Sequence, residues 1–483
     1  MRSIPEKELS TQMSETNWDA TYDVVVIGSG FAGLAAAIEA RLLGASVLVL
    51  EKMRIPGGNS AISGGLIAAA GSPLQQRDEI SDSPEQMLQD MVKAGEELNH
   101  PDLAGLIARE STNTLKWTQE FLGVEYKDRL NHLGGHSVPR TYNTANASGS
   151  GLLRPMLAKC RELGVKVQLK SFFRKFVVDA SERVSGVEII EDYLFPHEDS
   201  GQVRRIGARR GVVLASGGFS RDVAFRRIQM PRLDEQIDST NHLGATAEGL
   251  VAALRIGATP VHLSCIQLGP WCSGDEKGWG VGSMFSLLAG FPYGIMVDAA
   301  TGQRFVNELS DRKLRVDAML ARDRIPLAIV DSEGVQFAAN LDKCLKRGVV
   351  KKFNSLTELA AANQVPLAPL EETITRYNRS FLKGRDEEFG KPLGKDLKPL
   401  QTPPYYAIRL LPKVHHCMGG IQINEHGQAL EVATHQPIPG LYAAGEVTGG
   451  PHGNNRLGSV AIVDCLVFGR IAGRNAAGEL PYV

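Results

Sequence analysis

The chain has 483 residues, 43% of them hydrophobic and 22% charged, and its 53 basic and 54 acidic residues give a formal net charge of −1. That length supports about two or three domains around a large core, and the near-neutral balance gives no electrostatic basis for nucleic acid or an anionic membrane surface. The six cysteines are scattered without a C-x-x-C pair, which excludes recognisable c-type haem, ferredoxin-cluster and zinc-ribbon motifs and suits a reducing compartment.

Residues 1–20 are polar, carry several acids and lack the apolar core of a signal peptide. They are expected to form a flexible arm. No run approaches the roughly 18 to 20 apolar residues of a membrane span, and the cytoplasm is the expected compartment. From Thr21 to Lys52 an apolar β-rich run, Val24 to Ile27, meets Gly28-Ser29-Gly30-Phe31-Ala32-Gly33. An alanine-rich helical pattern follows to Leu43, then a second apolar run, Val47 to Leu50, and Glu51. A GxGxxG between strand and helix, with an acid ending the next strand, reads as a dinucleotide site. Gly28 permits the tight turn, Gly30 admits the pyrophosphate, and Gly33 lets helix and strand pack closely. The helix start offers free N–H groups to phosphate, and Glu51 would accept from a ribose. This stretch leaves open whether the dinucleotide is FAD or NAD.

The loop Pro56 to Gly65, rich in glycine and serine, would let backbone approach a ligand closely. Ser83 to Leu122 reads as helical, starting at Ser83-Pro84-Glu85-Gln86. The loop-rich stretch 131–151 offers His132, His136 and Arg140 as candidate site residues. Leu152 to Leu163 reads as a helix, Val165 to Leu169 as a strand, and Phe176 to Ile190 as an alternating β region. Arg205 to Leu214 then runs into Ala215-Ser216-Gly217-Gly218, a second expected meeting of backbone and cofactor. From Ser264 the chain becomes aromatic, with Trp271, Trp279, Phe285, Phe291 and Tyr293. Strands are expected near Gly294 to Asp298 and Leu327 to Asp331. The helical region Ser355 to Phe381 is interrupted at Pro366 and Pro369, and Lys383 to Pro404 reads as a linker or surface loop. Nucleotide-type sequence returns in LPKVHHCMGGI, in LYAAGEVTGG and in the helix from Val460 to Gly473. The economical architecture is a discontinuous α/β cofactor domain with an inserted cap, an interface at which ligand sites are favoured.

GSGFAG with Glu51, GGNSAISGG, VVLASGGF, RFVNE, HHCMGG, LYAAGEVTGG and HGNNRLGSVAI together resemble the FAD-dependent fumarate reductase and succinate dehydrogenase flavoprotein family. The likeness is nearest to its soluble, flavocytochrome c and urocanate reductase-like branch. The resemblance implies an α/β fold: a discontinuous Rossmann-like FAD-binding domain (21–263 and 413–483) with an inserted α+β capping domain (264–412). It implies FAD contacts at Ser29, Gly30, Glu51, Lys52, Asn59, Ser60, Gly64, Gly65, Ala215, Gly217, Glu248, Gly445, Glu446, Ser459 and Ile462, with His416 against the flavin. Gly28, Ala32 and Gly33 complete that set from the first glycine loop. No histidine lies between Pro56 and Gly65, so the resemblance implies non-covalent FAD, and no metal is implied.

The same resemblance implies reduction of an α,β-unsaturated carboxylate, with Arg312 as proton donor and His415 and Arg456 on the substrate carboxylate. Met284 and Ser286 match substrate-side positions. Two departures stand out. Leu287 and Gly290 occupy the positions of the family's proton relay, leaving it absent or rebuilt from residues such as Asp311 or Lys313. Gly269 stands where fumarate reducers carry a carboxylate-gripping histidine, which, beside Trp271, Phe285 and Phe291, argues for a monocarboxylate with a bulkier or aromatic second end rather than fumarate. A separate electron donor is expected, because no haem, cluster or nicotinamide motif is present. The alternatives are a dehydrogenase of a carboxylate or ketosteroid, which the pairing of HHCMGG with NNRLG disfavours for the steroid case, and a non-catalytic flavin electron-transfer subunit.

Overall fold

The computed structural model describes residues 17–481. Its centre is an eight-stranded sheet in which Pro437–Ala443, Gln202–Leu214, Ala20–Ile27, Val47–Leu50 and Lys166–Gln168 lie side by side in that order. These strands are parallel to their neighbours. Their apolar runs are buried on both faces, as a parallel sheet under helices requires. The register sets the function. Ile27 pairs with Leu50 and Leu214, and Leu214 pairs with Ala443. The chain therefore leaves the sheet at one level at Gly28, Glu51, Ala215 and Ala444, and ligands bind outside such carboxyl ends.

The helix Phe31–Leu42 returns over this sheet, with residues 31–40 buried. The long C-terminal helix Val460–Gly478 packs on it through small residues. A Cβ at Gly469 would lie 2.4 Å from Ala32 O, and one at Gly473 would lie 2.2 Å from Ala36 O. The tail is thus built into the first glycine-loop unit, and the expected helix end at Gly473 moves out to Gly478.

Within 264–412 an antiparallel sheet runs Ile295–Val297, Leu327–Val330, Tyr405–Arg409, Val350–Phe353. Strand alternation divides its residues cleanly between two cores. Met296, Ala328, Val330 and Ile408 face a cluster with Trp271, Phe285 and Phe291, while Ile295, Leu327, Ile329 and Ala407 face Leu370, Ile374 and Tyr377. The first strand of this stretch, Ile266–Gly269, instead pairs with Lys413–Cys417, matching Gln267 to His416 and Gly269 to Lys413. That pairing ties the middle region to the HHCMGG segment.

Three local expectations change. Ser83 to Leu122 is two helices, Pro84–Ala94 and Pro101–Lys116, because Pro101 starts the second at its favoured first-turn position. Pro369 sits in the first turn of Leu367–Lys383, where its missing N–H costs nothing, so only the segment around Pro366 interrupts the helices. The proposed arm of residues 1–20 lies outside the described residues up to 16, but its end is anchored: Ala20 opens the first strand, and Asp19 accepts from Arg204 Nη1 at 3.1 Å. Among the described residues no helix is long and apolar enough to cross a membrane.

Candidate active site

A groove opens along the carboxyl ends of the sheet. It is lined by Gly28, Ser29, Gly30, Ala32, Glu51, Lys52, Asn59, Ser60, Ala215, Gly217, Glu248 and Glu446, among others. Gly28 has φ +105°, and a Cβ there would stand 2.3 Å from Ala215 O. Gly30 caps the helix Phe31–Leu42 without a side-chain hydrogen bond, and although the Phe31 N–H donates to Ser60 Oγ at 2.9 Å, the positive dipole end still faces the groove where an anion would sit. Glu51 is held in place: Oε2 accepts from Ser29 N at 3.2 Å and Ser29 Oγ at 2.5 Å, and Oε1 accepts from Met53 N at 2.9 Å. Lys52 Nζ donates to Thr246 Oγ1 at 2.5 Å and pairs with Glu248. A backbone cradle, a helix N-terminus and an oriented carboxylate fit the diphosphate and ribose of a dinucleotide such as FAD.

A second cavity abuts the groove and shares Phe31, Asn59, Ser60, Glu446 and Cys465 with it. Its polar lining includes Arg312, His415, His416, Arg456, Thr240 and Asn241, and its apolar lining includes Trp271, Trp279 and Leu287. Gln267 organises the cations. Its Oε1 accepts from Arg312 Nη1 at 2.7 Å and Arg456 Nη2 at 3.3 Å, while its Nε2 donates to Asn455 Oδ1 at 2.5 Å and Arg456 O at 2.8 Å. Arg312 also stacks on Trp271, with Cζ 4.4 Å from the ring centroid. His415 Nδ1 lies 2.8 Å from Thr240 Oγ1, and its ring meets the Trp271 ring edge-on at 4.8 Å.

Desolvation governs the charges here. Burial pushes the Arg312 guanidinium well below its usual value, with repulsion from Arg456 and Arg315 adding to it. Burial lowers Arg456 to about 10 against the opposing attraction of Glu446. His415 and His416 are held well below the usual histidine value by burial first and then by neighbouring cations, so both rings are neutral at ordinary pH. Burial raises Glu446 to about 6, opposed by the Cys417 N–H that donates to it at 3.0 Å. His416 Nε2, Arg456 Nε and Asn241 Nδ2 are buried with no hydrogen-bond partner among the described residues. Such atoms at the junction of groove and cavity fit a site that a flavin ring and an anionic substrate complete.

The fold brings together most of the residues singled out in sequence, but not all as expected. Gly64, Ser459 and Ile462 line the inner cavity with His416. Gly33, Gly65 and Gly445 are absent from both linings because they serve packing. A Cβ at Gly33 would fall 1.9 Å from Gly28 O, at Gly65 2.4 Å from Thr144 Oγ1, and at Gly445 2.9 Å from Ala32 Cβ. Met284 and Ser286, expected on the substrate side, are on neither lining. Ser286 is fully buried and donates back to Gly282 O at 3.3 Å, and Met284 stands behind Gly64, where a Cβ would meet its Sδ at 2.7 Å. Leu287 takes the place on the wall.

His132, His136 and Arg140 also depart from a site-lining role. Arg140 is buried in ion pairs with Asp82 at 2.8 Å and Asp90 at 2.5 Å. It contacts His136 Nδ1 at 3.0 Å, and His136 Nε2 reaches Gly458 O at 2.8 Å, so the network braces the segment after Arg456 from behind. Neither suggested relay substitute faces Arg312 with a free side chain. Asp311 Oδ1 caps a helix by accepting from Leu314 N at 3.0 Å, and Lys313 pairs with Glu96 at 3.3 Å and Asp317 at 3.1 Å. Gln267 and Thr240 escaped the sequence reading. Gln267 lies two residues before Gly269, but only its two shared guanidinium bonds reveal its part.

Residues 23–462 match the family model described as FAD binding domain. The chain is 43% identical to an acrylate reductase flavoprotein subunit of Shewanella woodyi, over 98% of this chain and 94% of that protein. It is 34% identical to a urocanate reductase of Eggerthella lenta, over 94% of this chain and 74% of that protein. In three dimensions it resembles the open conformation of a flavocytochrome c3 fumarate reductase with a TM-score of 0.73 and 32% identity, over 95% of this chain and 78% of that one.

Proposed function

The chain belongs to the FAD binding domain family, and on that premise we propose that it is an FAD-dependent reductase of an acrylate-type acid, a C=C bond beside a single carboxylate. The observation that carries this reading is the cation pair: Arg312 and Arg456 share Gln267 Oε1 at 2.7 and 3.3 Å on a cavity that borders the cofactor groove. Similarity to an acrylate reductase subunit supports the same substrate class. The reading divides the chain into FAD-binding parts at 21–263 and 413–483 around a capping part at 264–412.

When bound, reduced FAD supplies the hydride for the carbon β to the carboxylate. The protein supplies the rest. Arg456 and the neutral His415 ring take the carboxylate, where negative charge grows during the reaction and fixed donors in a dry site stabilise it most. The contact of Thr240 with His415 Nδ1 leaves Nε2 for that oxygen. Arg312 gives its proton to the α carbon. Burial beside other cations makes it far more acidic than a solvated guanidinium, which brings its pKa toward the range useful for an acid catalyst. Gln267 bridges Arg312 and Arg456 through one shared acceptor, Oε1, which holds the two guanidinium groups together against their repulsion. His416, with its unpartnered Nε2 and Nδ1 3.4 Å from Glu446 Oε1, borders the flavin side.

The cofactor is held without a covalent histidine link in this reading, and electrons arrive from a separate donor. The six cysteines are free thiols, which supports a reducing, cytoplasmic setting. The test is anaerobic: holoenzyme is photoreduced, then mixed with acrylate, substituted acrylates, urocanate or fumarate while flavin reoxidation is followed. Acrylate-type monocarboxylates are expected to react fastest. Fumarate reacting best would remove the proposal, and no reoxidation by any of them would leave an electron-transfer module instead.

A further inference from the structure

Trp271 is only 1% exposed and lies where the chemistry-bearing side chains meet. One face stacks on Arg312 at 4.4 Å, and His415 sits edge-on at 4.8 Å with Trp279 beyond it at 5.7 Å. Two residues earlier, Gly269 leaves space that the indole fills. The position of a Cβ on Gly269 is 3.0 Å from Cε2 and Cζ2 of Trp271 and 3.3 Å from Cys272 Sγ. Glycine and indole are therefore matched in size, and a side chain at 269 would push the ring off Arg312. The cations stand together, on a lining that also carries Glu446 and the neutral Thr240 and Asn241. Arg312 and Arg456 form one cationic pole, while Trp271, Trp279 and Leu287 give the cavity an aromatic and aliphatic wall. A carboxylate against that wall would be desolvated without a counter-charge, which is strongly unfavourable.

We propose that Trp271 sets the substrate class of this site: by filling the space over Gly269 it closes the cavity to a second carboxylate and restricts turnover to monocarboxylate enoates. The proposal rests on the enoate-reductase reading above. Its test compares photoreduced wild-type, Trp271→Ala and Trp271→Phe holoenzymes with acrylate and fumarate. In Trp271→Ala the ratio of kcat/KM for fumarate to that for acrylate should rise about tenfold or more. In Trp271→Phe, where a ring still covers Gly269, it should stay near the wild-type value. A ratio is the right readout because general destabilisation lowers both substrates alike. Should the alanine variant fail to fold, Trp271→Leu carries the same expectation. Binding of propionate against succinate, read from the flavin spectrum, measures the same preference without turnover. Wild-type enzyme that reduces no enoate overturns the underlying reading. Wild-type turnover with an unmoved ratio in the alanine or leucine variant overturns the role of Trp271 alone.

Discussion

Arg312 has to satisfy two opposing demands: it must be protonated to donate and acidic enough to let the proton go. Burial, Arg456 and Arg315 supply the acidity, and the bond to Gln267 with the Trp271 stack supplies the orientation. Arg312→Ala should lower kcat by about 10²- to 10⁴-fold, the usual worth of a positioned acid, with the flavin-to-protein absorbance ratio unchanged. Loss of bound FAD in parallel would mean that the residue is structural. Arg456→Lys keeps the charge but not the planar fork. It should raise KM for the enoate about tenfold, which steady-state kinetics would detect, and an unchanged KM would count against carboxylate binding there. Both arginines were nominated by the motifs that carry the family resemblance, NNRLG and the segment after RFVNE. Residue identity could not tell that Arg140, equally conspicuous in sequence, would be consumed by Asp82 and Asp90. Only the neighbours of a buried arginine distinguish a brace from a reagent.

At the scale of elements, the glycine loop works because strand and helix approach more closely than side chains allow. Gly33→Ala should place a methyl group 1.9 Å from Gly28 O, prising the helix Phe31–Leu42 from the strand. Overpacking of this kind costs about 1–3 kcal/mol or more, and the purified variant should show both a lower Tm and a depleted flavin content. Gly44 provides the contrast. It has φ +83° with nothing within 4 Å of its Cβ position, so Gly44→Ala should cost about 1 kcal/mol of local strain and retain FAD fully. Equal flavin loss in both variants would refute the packing argument. This unit was legible in sequence because turn, cap and close approach are local demands written in neighbouring residues. The helix break at Pro101 was legible in principle too, but helical composition continuing on both sides concealed it.

For the whole molecule, the buried histidines predict how stability responds to acid. His136, His415 and His416 are all held well below the usual histidine value, mainly by burial. Below about pH 6.5 the unfolded chain takes up these protons and the folded one does not, so stability falls as pH drops, by about 1.4 kcal/mol per pH unit per histidine. Glu446, raised to about 6, works the other way between its usual value and 6, because there the folded protein holds a proton that the unfolded chain has released. Urea unfolding at pH 7.5 and 5.5 should show a lower midpoint at the lower pH, and His136→Asn, outside the cavity, should lessen the drop. A midpoint independent of pH would contradict neutral buried rings. By itself the sequence determined the dinucleotide unit, the α/β class and the discontinuity of the cofactor-binding segments, since periodicity, glycine placement and motif order depend on short-range backbone geometry. Only the tertiary structure decided the cavity. It joined Gln267 to Arg456 across 189 residues, turned Ser286 away, and laid Trp271 over Gly269. Distances between remote side chains, and the desolvation that sets their charges, come into being only when the chain packs.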